Sequence, residues 1–275
     1  TCHLDTRKMI MSIVDYLSSE WRNSGLEDGD TVLIHSSLKS TMHRLKNLGY
    51  VPDLSDIFDS FRYAVGKDGT LIFPLFNFEF TKGDPFIFNQ TRSHMGALTE
   101  YARNFKNSVR TGHPIYSFAV IGKNASHFDG LINESGYGHD SPFAVLKELD
   151  GKIGILGLPE NSSMTFYHYV EECLAVDYRY IKNFTGQYTD NKGITGERTF
   201  KLFVRDIEKN IETQVDPMGE RLWSLGKYRG CRHKDGNYFR TIKAIDVFNE
   251  TKKIIQSGKA LGHLYEISNE IDDKE

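Results

Sequence analysis

The sequence lacks any apolar run approaching the roughly 20 residues that a membrane-spanning helix needs, so we expect no membrane partner. It has three cysteines, Cys2, Cys173 and Cys231, and no C-x-x-C pair, which argues against a disulfide framework. No secretory-signal pattern is visible either, and together these absences favour the cytoplasm. With a formal net charge of −3, the chain also lacks the positive excess of a nucleic-acid-binding protein.

Signature motifs of several enzyme classes are missing as well. The chain has no G-x-x-x-x-G-K-[ST] loop, no G-x-G-x-x-G turn and no G-x-S-x-G elbow, which argues against a kinase, a dehydrogenase and a lipase. The [QR]-x-x-G-x-[GA] turn of the larger coenzyme A-dependent acetyltransferase superfamily is absent too. His139 and Asp140 are adjacent, but without an H-E-x-x-H or C-x-x-C pair we predict no metal site.

The 275 residues, 39% hydrophobic and 26% charged, suffice for one large globular domain. The first two thirds alternate between helix and strand patterns. This rhythm predicts an α/β fold with a mainly parallel sheet and helices on both faces. The predicted helices cover 6–24, with Asp5 or Thr6 as N-cap, then 54–65, 95–105 and a segment after Pro142; the predicted strands cover 31–34, 70–73, 117–121 and 152–157.

The pattern changes near residue 178 to alternating apolar and polar residues, as in 199–205, with a turn at Asp235-Gly236. A short helix over 217–225 and a closing helix over 246–256 follow, and the tail 269–275 is expected to fray. We therefore predict a single domain over 1–275, with an α/β cofactor-binding core over 1–177 and a β-rich subdomain with a closing helix over 178–275.

The segment 165–172 carries the strongest chemical signal. Thr165, His168 and Glu171 stand at i, i+3 and i+6 of a predicted helix, so their side chains point to one side. The helix follows the strand 152–157, and α/β proteins build sites at the carboxyl ends of such strands. The pattern favours His168 as a general base; a helix with a structurally satisfied histidine is the alternative.

Two further polar segments are candidates for binding. His35, Ser36, Ser37 and Leu38 directly follow a strand, where hydroxyls and free N–H groups can hold a phosphate or an amide; a turn with helix-capping serines is the alternative. The segment 108–117 collects an arginine, a histidine and hydroxyls, which suits anion recognition, although a plain surface loop fits it equally.

Seven segments, in order, resemble the aminoglycoside 3-N-acetyltransferase family, also called the antibiotic N-acetyltransferase family. The resemblance covers most of the first 175 residues, and it is specific because all seven occur together. They lie at 29–38, 69–74, 95–100, 109–117, 140–142, 154–157 and 165–171.

The resemblance implies a three-layer α/β/α core that binds acetyl-coenzyme A as cosubstrate and transfers its acetyl group to an amine of an amino sugar. It implies that His168 is the base and Glu171 its partner, while Thr165 or nearby N–H groups stabilise the oxyanion or protonate the departing thiolate. The residues that it assigns to the cofactor are His35, Ser36, Ser37, Leu38, Arg110, His113 and Ser117.

The acceptor side departs from the family. A basic loop over 41–52 replaces the usual glycine-rich segment. By resemblance, Phe76, Glu79 and Glu100 are placed at the acceptor, although Phe76, Phe78 and Phe80 also fit alternating strand packing. A polycationic aminoglycoside should meet several carboxylates, and the sequence shows no clear cluster.

We therefore expect a small amino-sugar acceptor, with a possible homodimer. A same-fold acyltransferase acting on an amino sugar of a surface polysaccharide or metabolite, and a non-catalytic carbohydrate-binding or phosphate-binding protein, remain as alternatives.

Overall fold

The computed structural model describes residues 11–268, which form eight α-helices and twelve β-strands. The helices are α1 (Ile13–Asn23), α2 (Lys39–Asn47), α3 (Leu54–Val65), α4 (Ala97–Arg103), α5 (Pro142–Glu148), α6 (Phe166–Cys173), α7 (Asp216–Ser224) and α8 (Ala244–Gln256). The strands are β1 (Thr31–Ser36), β2 (Thr70–Pro74), β3 (Phe86–Ile87), β4 (Val109–Arg110), β5 (Phe118–Gly122), β6 (Lys152–Leu156), β7 (Arg179–Thr189), β8 (Thr195–Arg205), β9 (Ile211–Thr213), β10 (Arg229–Gly230), β11 (Phe239–Lys243) and β12 (Tyr265–Ile267).

A seven-stranded sheet in the order β10-β11-β6-β1-β2-β5-β4 forms the centre of the fold. The β1–β2 and β1–β6 pairs are parallel, and the four flanking pairs are antiparallel. Five of the seven strands nevertheless point the same way, because only β11 and β5 are reversed. The prediction of a mainly parallel sheet is confirmed in this sense.

Successive residues of the central strands face two separate apolar clusters. Leu33 packs with residues of α5, α6 and α8, such as Phe143 and Val247. Val32, its neighbour in β1, packs with residues of α1 and α3, such as Trp21. Strands covered on both faces read as continuous apolar runs, which is why β1, β2 and β6 are recognisable in the sequence.

The C-terminal part builds most of a second sheet and also completes the first. Strands β3, β7 and β8 form a three-stranded sheet, and β9 pairs with β12. Strands β10 and β11 extend the central sheet beside β6. Helix α8 packs on α6, so the predicted site helix lies against the C-terminal part.

Most predicted elements agree with the structure to within a few residues, with two exceptions. Helix α1 begins at Ile13 with Ser12 as its N-cap, while the predicted caps Asp5 and Thr6, Cys2 and the tail 269–275 lie outside the described residues. The basic segment predicted as a loop over 41–52 instead contains most of helix α2, which buries Thr41 and Leu45 one turn apart.

No helix within residues 11–268 combines the length and the apolar character required to cross a bilayer.

Candidate active site

The carboxyl ends of β1 and β6 bring the two main site segments together. The strands run in parallel, with Ser36 opposite Leu156. After β6 the chain turns at Gly157, whose φ is +66° and where a Cβ atom would lie 2.7 Å from the carbonyl oxygen of Ser37. Glycine therefore permits this close approach. The following loop, 157–165, leads into α6 and places His168 in its first turn.

A fixed hydrogen bond joins the predicted base to its carboxylate. His168 Nδ1 lies 2.7 Å from Glu171 Oε2, as the i, i+3 spacing on α6 predicts. The hydroxyl of Tyr178 donates to Glu171 Oε1 at 2.9 Å, and Arg179 Nη1 lies 3.3 Å from Oε2. The Glu171 carboxylate is buried, and each of its oxygens has a partner.

The charges around this pair determine the tautomer of His168. Burial raises the pKa of Glu171, but Arg179, His168 and Tyr178 outweigh it and hold that pKa below its ordinary value. Burial and the charge of Arg179 lower the pKa of His168, against the opposing effect of Glu171. At neutral pH the ring is therefore neutral and donates Nδ1–H to an ionised Glu171. Its Nε2 lone pair is left to accept a proton.

His168 opens into a cavity of about 240 Å³, which we call the His168 cavity. Thr165, the N-cap residue of α6, shares its wall, and the Thr165 side chain makes no capping hydrogen bond. The nearby Ser163 hydroxyl, by contrast, donates to the carbonyl oxygen of Pro159 at 2.7 Å. The lining residues are His35, Phe76, Phe78, Met95, Tyr116, Asn161, Ser162, Ser163, Met164, Thr165, His168, Thr213 and Val215.

A second cavity of about 430 Å³, the Ser37 cavity, adjoins the first. The two share His35, Met95 and Ser162. The remaining lining residues of the Ser37 cavity are Ser36, Ser37, Leu38, Pro74, His94, Gly96, Ala97, Leu98 and Leu158. All four residues predicted at the end of β1 therefore line one cleft, together with His168 and Thr165.

His35 stands at the junction of the two cavities. Its ring is 5% exposed, and its Nε2 atom is buried without a hydrogen-bond partner among the described residues. Burial, together with the charge of Arg240, lowers the pKa of His35 to about 3, so the ring is neutral. An unpaired buried nitrogen is costly, which marks this position as one that a ligand can satisfy.

The other predicted cofactor residues are engaged within the fold. Arg110 donates to the carbonyl oxygens of Phe88 and Thr91 at 2.6 and 2.8 Å and to the hydroxyl of Ser117 at 3.2 Å. His113 Nδ1 accepts the backbone N–H of Tyr116 at 3.1 Å. None of the three lines either cavity. Their contact with a cofactor stays a prediction, and in this structure they hold the chain around β4 and β5.

Of the predicted acceptor residues, only Phe76 lines the His168 cavity. Glu79 pairs with Lys82 at 3.0 Å. Glu100 pairs with Arg103 and accepts the Ser93 N–H at 3.0 Å. Burial raises the pKa of Glu100, but those hydrogen bonds outweigh it and lower the pKa to about 2. Neither carboxylate reaches the wall of the His168 cavity.

Several site residues have no signal in the local sequence. Arg179 begins β7, eight positions after Glu171, and the packing of β7 and β8 brings it to that carboxylate. Thr213 and Val215 join the cavity from the C-terminal part of the chain. Tyr116 lies in the segment predicted to recognise anions, but it contributes an aromatic wall.

Among residues 11–268, no group of three or more His, Cys, Asp or Glu side chains is arranged to hold a metal ion.

Comparison with known proteins points to one family. A family model described as aminoglycoside 3-N-acetyltransferase matches residues 33–244. Aminoglycoside N(3)-acetyltransferase VIII of Streptomyces fradiae is 27% identical over 207 residues, which are 67% of this chain and 67% of that protein. The structure of AAC-IIIb with CoASH superposes with a TM-score of 0.73 at 20% identity, covering 90% of this chain and 97% of that one. A structure of sisomicin-bound AAC-VIa gives a TM-score of 0.72 at 20% identity, covering 89% and 98%.

Proposed function

The chain belongs to the aminoglycoside 3-N-acetyltransferase family, and from this premise we propose that it transfers an acetyl group from acetyl-coenzyme A to a primary amine of an aminoglycoside or related amino sugar. The observation that carries the proposal is the His168 ring, which Glu171 holds with Nε2 as its basic atom in a cavity joined to the Ser37 cavity. Acyl transfer is the activity of the family. The acceptor and the roles of individual residues are the proposal.

His168 supplies the proton acceptor that the reaction needs. A sugar ammonium has no lone pair, so its nitrogen must lose a proton before it attacks a carbonyl carbon. The lowered pKa of His168 keeps the ring neutral near pH 7, and Nε2 takes the proton directly. The ionised Glu171 then stabilises the imidazolium that forms, because its carboxylate already accepts the Nδ1–H.

We assign the Ser37 cavity to the thioester end of acetyl-coenzyme A. His35 offers a buried nitrogen without a partner at the end of this cavity nearest His168, and Ser36 and Ser37 offer hydroxyls beside it. Acetyl-coenzyme A supplies a thioester whose carbonyl carbon bonds to the amine nitrogen while its C–S bond breaks; the nitrogen gives up its second proton as the amide forms, and the sulfur takes up a proton and leaves as the free thiol. The structure of AAC-IIIb was determined with CoASH, which supports coenzyme A as the carrier here.

We propose that Thr165 assists the reaction. Its side chain makes no capping hydrogen bond, and it lines the same cavity as His168. We assign this hydroxyl, or a neighbouring N–H group, to the developing oxyanion or the departing sulfur. One well-placed donor of this kind is worth about 2.7–4 kcal/mol in other enzymes.

The acceptor, the cellular setting and the assembly are further parts of the proposal. Sisomicin-bound AAC-VIa supports a small amino-sugar acceptor. The cytoplasm and a homodimer are the proposed setting and assembly.

The decisive experiment is thiol release from acetyl-coenzyme A with a panel of amines, using wild type, His168→Ala and His43→Ala. His43 is an exposed histidine on α2 and serves as the control. We expect His168→Ala to lose roughly 10²–10⁴-fold in turnover while coenzyme A still raises its melting temperature. Full activity in that variant would remove His168 as the base. Stabilisation by coenzyme A without thiol release from wild type would favour the non-catalytic alternative.

A further inference from the structure

The walls of the active-site cleft carry no carboxylate. The thirteen residues that line the His168 cavity and the twelve that line the Ser37 cavity, all of them described, include neither Asp nor Glu. Glu171 lies behind His168 and is 1% exposed. A substrate with several ammonium groups would therefore find no wall residue of opposite charge in this cleft.

Apart from Asp216, which follows Val215 and accepts the backbone N–H of Asn161 at 2.9 Å, the carboxylates next to lining residues in the chain are already held in ion pairs. Glu79, which follows Phe78, pairs with Lys82, and Glu212, which precedes Thr213, pairs with Arg205. Glu160 precedes Asn161 and is buried against Arg240 at 3.1 Å. Recruiting any of these carboxylates for a substrate would break an existing ion pair.

A buried cation, ion-paired with Glu171, lies behind His168. Arg179, 9% exposed, stands 3.3 Å from the carboxylate that holds His168, and its charge contributes to the lowered pKa of that histidine. An ammonium that enters the cavity loses hydration, and without an anionic partner this loss is not offset. The reacting nitrogen escapes the penalty because His168 removes its proton. Each additional ammonium group of a polycationic substrate keeps its charge and bears this penalty.

The lining of the His168 cavity suits an uncharged sugar ring. Phe76 and Tyr116 contact edge to face with ring centroids 4.5 Å apart, and Phe78 meets Tyr116 at 5.9 Å, so three aromatic rings form one wall. Asn161 and Thr213 provide polar groups elsewhere in the lining. Aromatic faces pack against the C–H face of a sugar, while amide and hydroxyl groups bond its hydroxyls. The volume of about 240 Å³ lies below the roughly 300–1,000 Å³ of most ligand pockets.

We infer that the acceptor is an amino sugar, or a similarly sized amine, whose reacting nitrogen is its only cationic group, rather than a polycationic aminoglycoside. The inference rests on the proposed function and narrows its substrate class. It follows from the absence of carboxylates in the cleft walls, the buried cation behind His168 and the aromatic wall.

The test compares kcat/KM for thiol release with two acceptor types. Phenyl glucosaminide and methyl glucosaminide carry one amine each, and sisomicin and gentamicin carry several. For wild type we expect the better glucosaminide to exceed both aminoglycosides by about tenfold or more. Because the phenyl group can reach the aromatic wall, phenyl glucosaminide should have the lower KM of the two.

Variants that add a carboxylate test whether the lack of negative charge in the cleft causes this preference. Asn161→Asp is matched in shape to wild type, and its carboxylate can keep the 3.1 Å bond that Asn161 Oδ1 accepts from the Val215 N–H. Thr213→Asp is the second variant, with Thr213→Asn as its neutral control. Each added carboxylate should shift the preference toward sisomicin by up to about fivefold, and added salt should reverse the shift.

The outcomes separate the two proposals. Wild-type kcat/KM for sisomicin or gentamicin equal to or above that for both glucosaminides would overturn the single-cation acceptor and leave acetyl transfer standing. If neither Asn161→Asp nor Thr213→Asp changed the preference between glucosaminides and aminoglycosides, the electrostatic explanation would be overturned. No thiol release with any amine would count against the proposed function itself.

Discussion

At the scale of single residues, burial and the charge of Arg179 together lower the pKa of His168. The guanidinium of Arg179 makes one Glu171 oxygen a shared acceptor, since that oxygen also receives the Nδ1–H of His168. The arginine therefore keeps Glu171 ionised while disfavouring the protonated ring. A base with a lowered pKa remains unprotonated over a wider range of pH, at some cost in basicity.

Replacing Arg179 should move the pH profile of the reaction. With a fixed amine, kcat/KM falls as pH drops through the pKa of His168, because a protonated ring accepts no proton. Arg179→Gln removes a nearby positive charge that lowers this pKa, so the acid limb should move to higher pH. Arg179→Lys, which keeps the charge, should move it less. The measurement is kcat/KM against pH for the three proteins. An unmoved limb, or one displaced to lower pH in Arg179→Gln, would contradict this account.

At this scale, the sequence predicts those contacts that depend only on the geometry of one helix or on the end of one strand. The contact of His168 with Glu171 follows from helical spacing, and the place of Ser37 beside that helix follows from the end of β1. The partner Arg179 was not predictable, because a second sheet carries it there. Glu79 and Glu100 instead pair with cations three positions later, Lys82 and Arg103, and their contact with an acceptor stays a prediction.

At the scale of elements, a buried polar cluster holds the loop 157–165 that leads into α6. Glu160 accepts the hydroxyls of Tyr167 and Tyr228, each at 2.7 Å, and Arg240 Nη2 at 3.1 Å. Arg240 also donates to the carbonyl oxygen of Leu158 at 2.8 Å. Helix α6, the segment before β10, and β11 thus fix the loop that carries the Asn161–Thr165 side of the His168 cavity.

Removing the arginine of this cluster should destabilise the protein strongly. Arg240→Met leaves Glu160 buried without its cation, and breaking a buried ion pair in this way costs about 3–5 kcal/mol. Arg232→Met is the control. Arg232 pairs with Glu220 at the surface, so its loss should change stability by about 1 kcal/mol or less. The free energy of unfolding from urea titration measures both, and equal losses would show that Glu160 does not depend on Arg240.

Helix α2 shows where element prediction failed. The basic segment over 41–52 stands where the resembling family has a glycine-rich segment, which favours a loop. Its helix presents only Thr41 and Leu45 as buried positions, and tertiary contacts such as the ion pair of Arg44 with Glu20 secure it. Two buried positions, of which only Leu45 is apolar, are too few for a periodic signal. Packing, not pattern, forms this helix.

At the scale of the whole molecule, the α/β rhythm predicted the central sheet but not the direction of its outer strands. Periodicity shows that a segment is a buried strand, whereas its direction depends on the connection that precedes it. Strand β5 runs antiparallel to β2, and β11, from the C-terminal part, runs antiparallel to β6. The candidate active site also draws on both parts of the chain. Thr213 and Val215, from the C-terminal part, complete a cavity whose general base, His168, comes from the N-terminal part.

We expect the two parts of the chain to unfold together. The chain has two tryptophans: Trp21 is fully buried in α1, and Trp223 lies in α7. Because β11 is hydrogen-bonded to β6 and α8 packs on α6, neither part keeps its core when the other unfolds. Variants Trp21→Phe and Trp223→Phe each leave one reporter. Within each variant, the fluorescence and circular dichroism midpoints in guanidinium chloride should coincide. An earlier fluorescence transition in Trp21→Phe, where Trp223 alone reports, would instead mean that the part beyond residue 177 is an independent unit and that the site opens before the core melts.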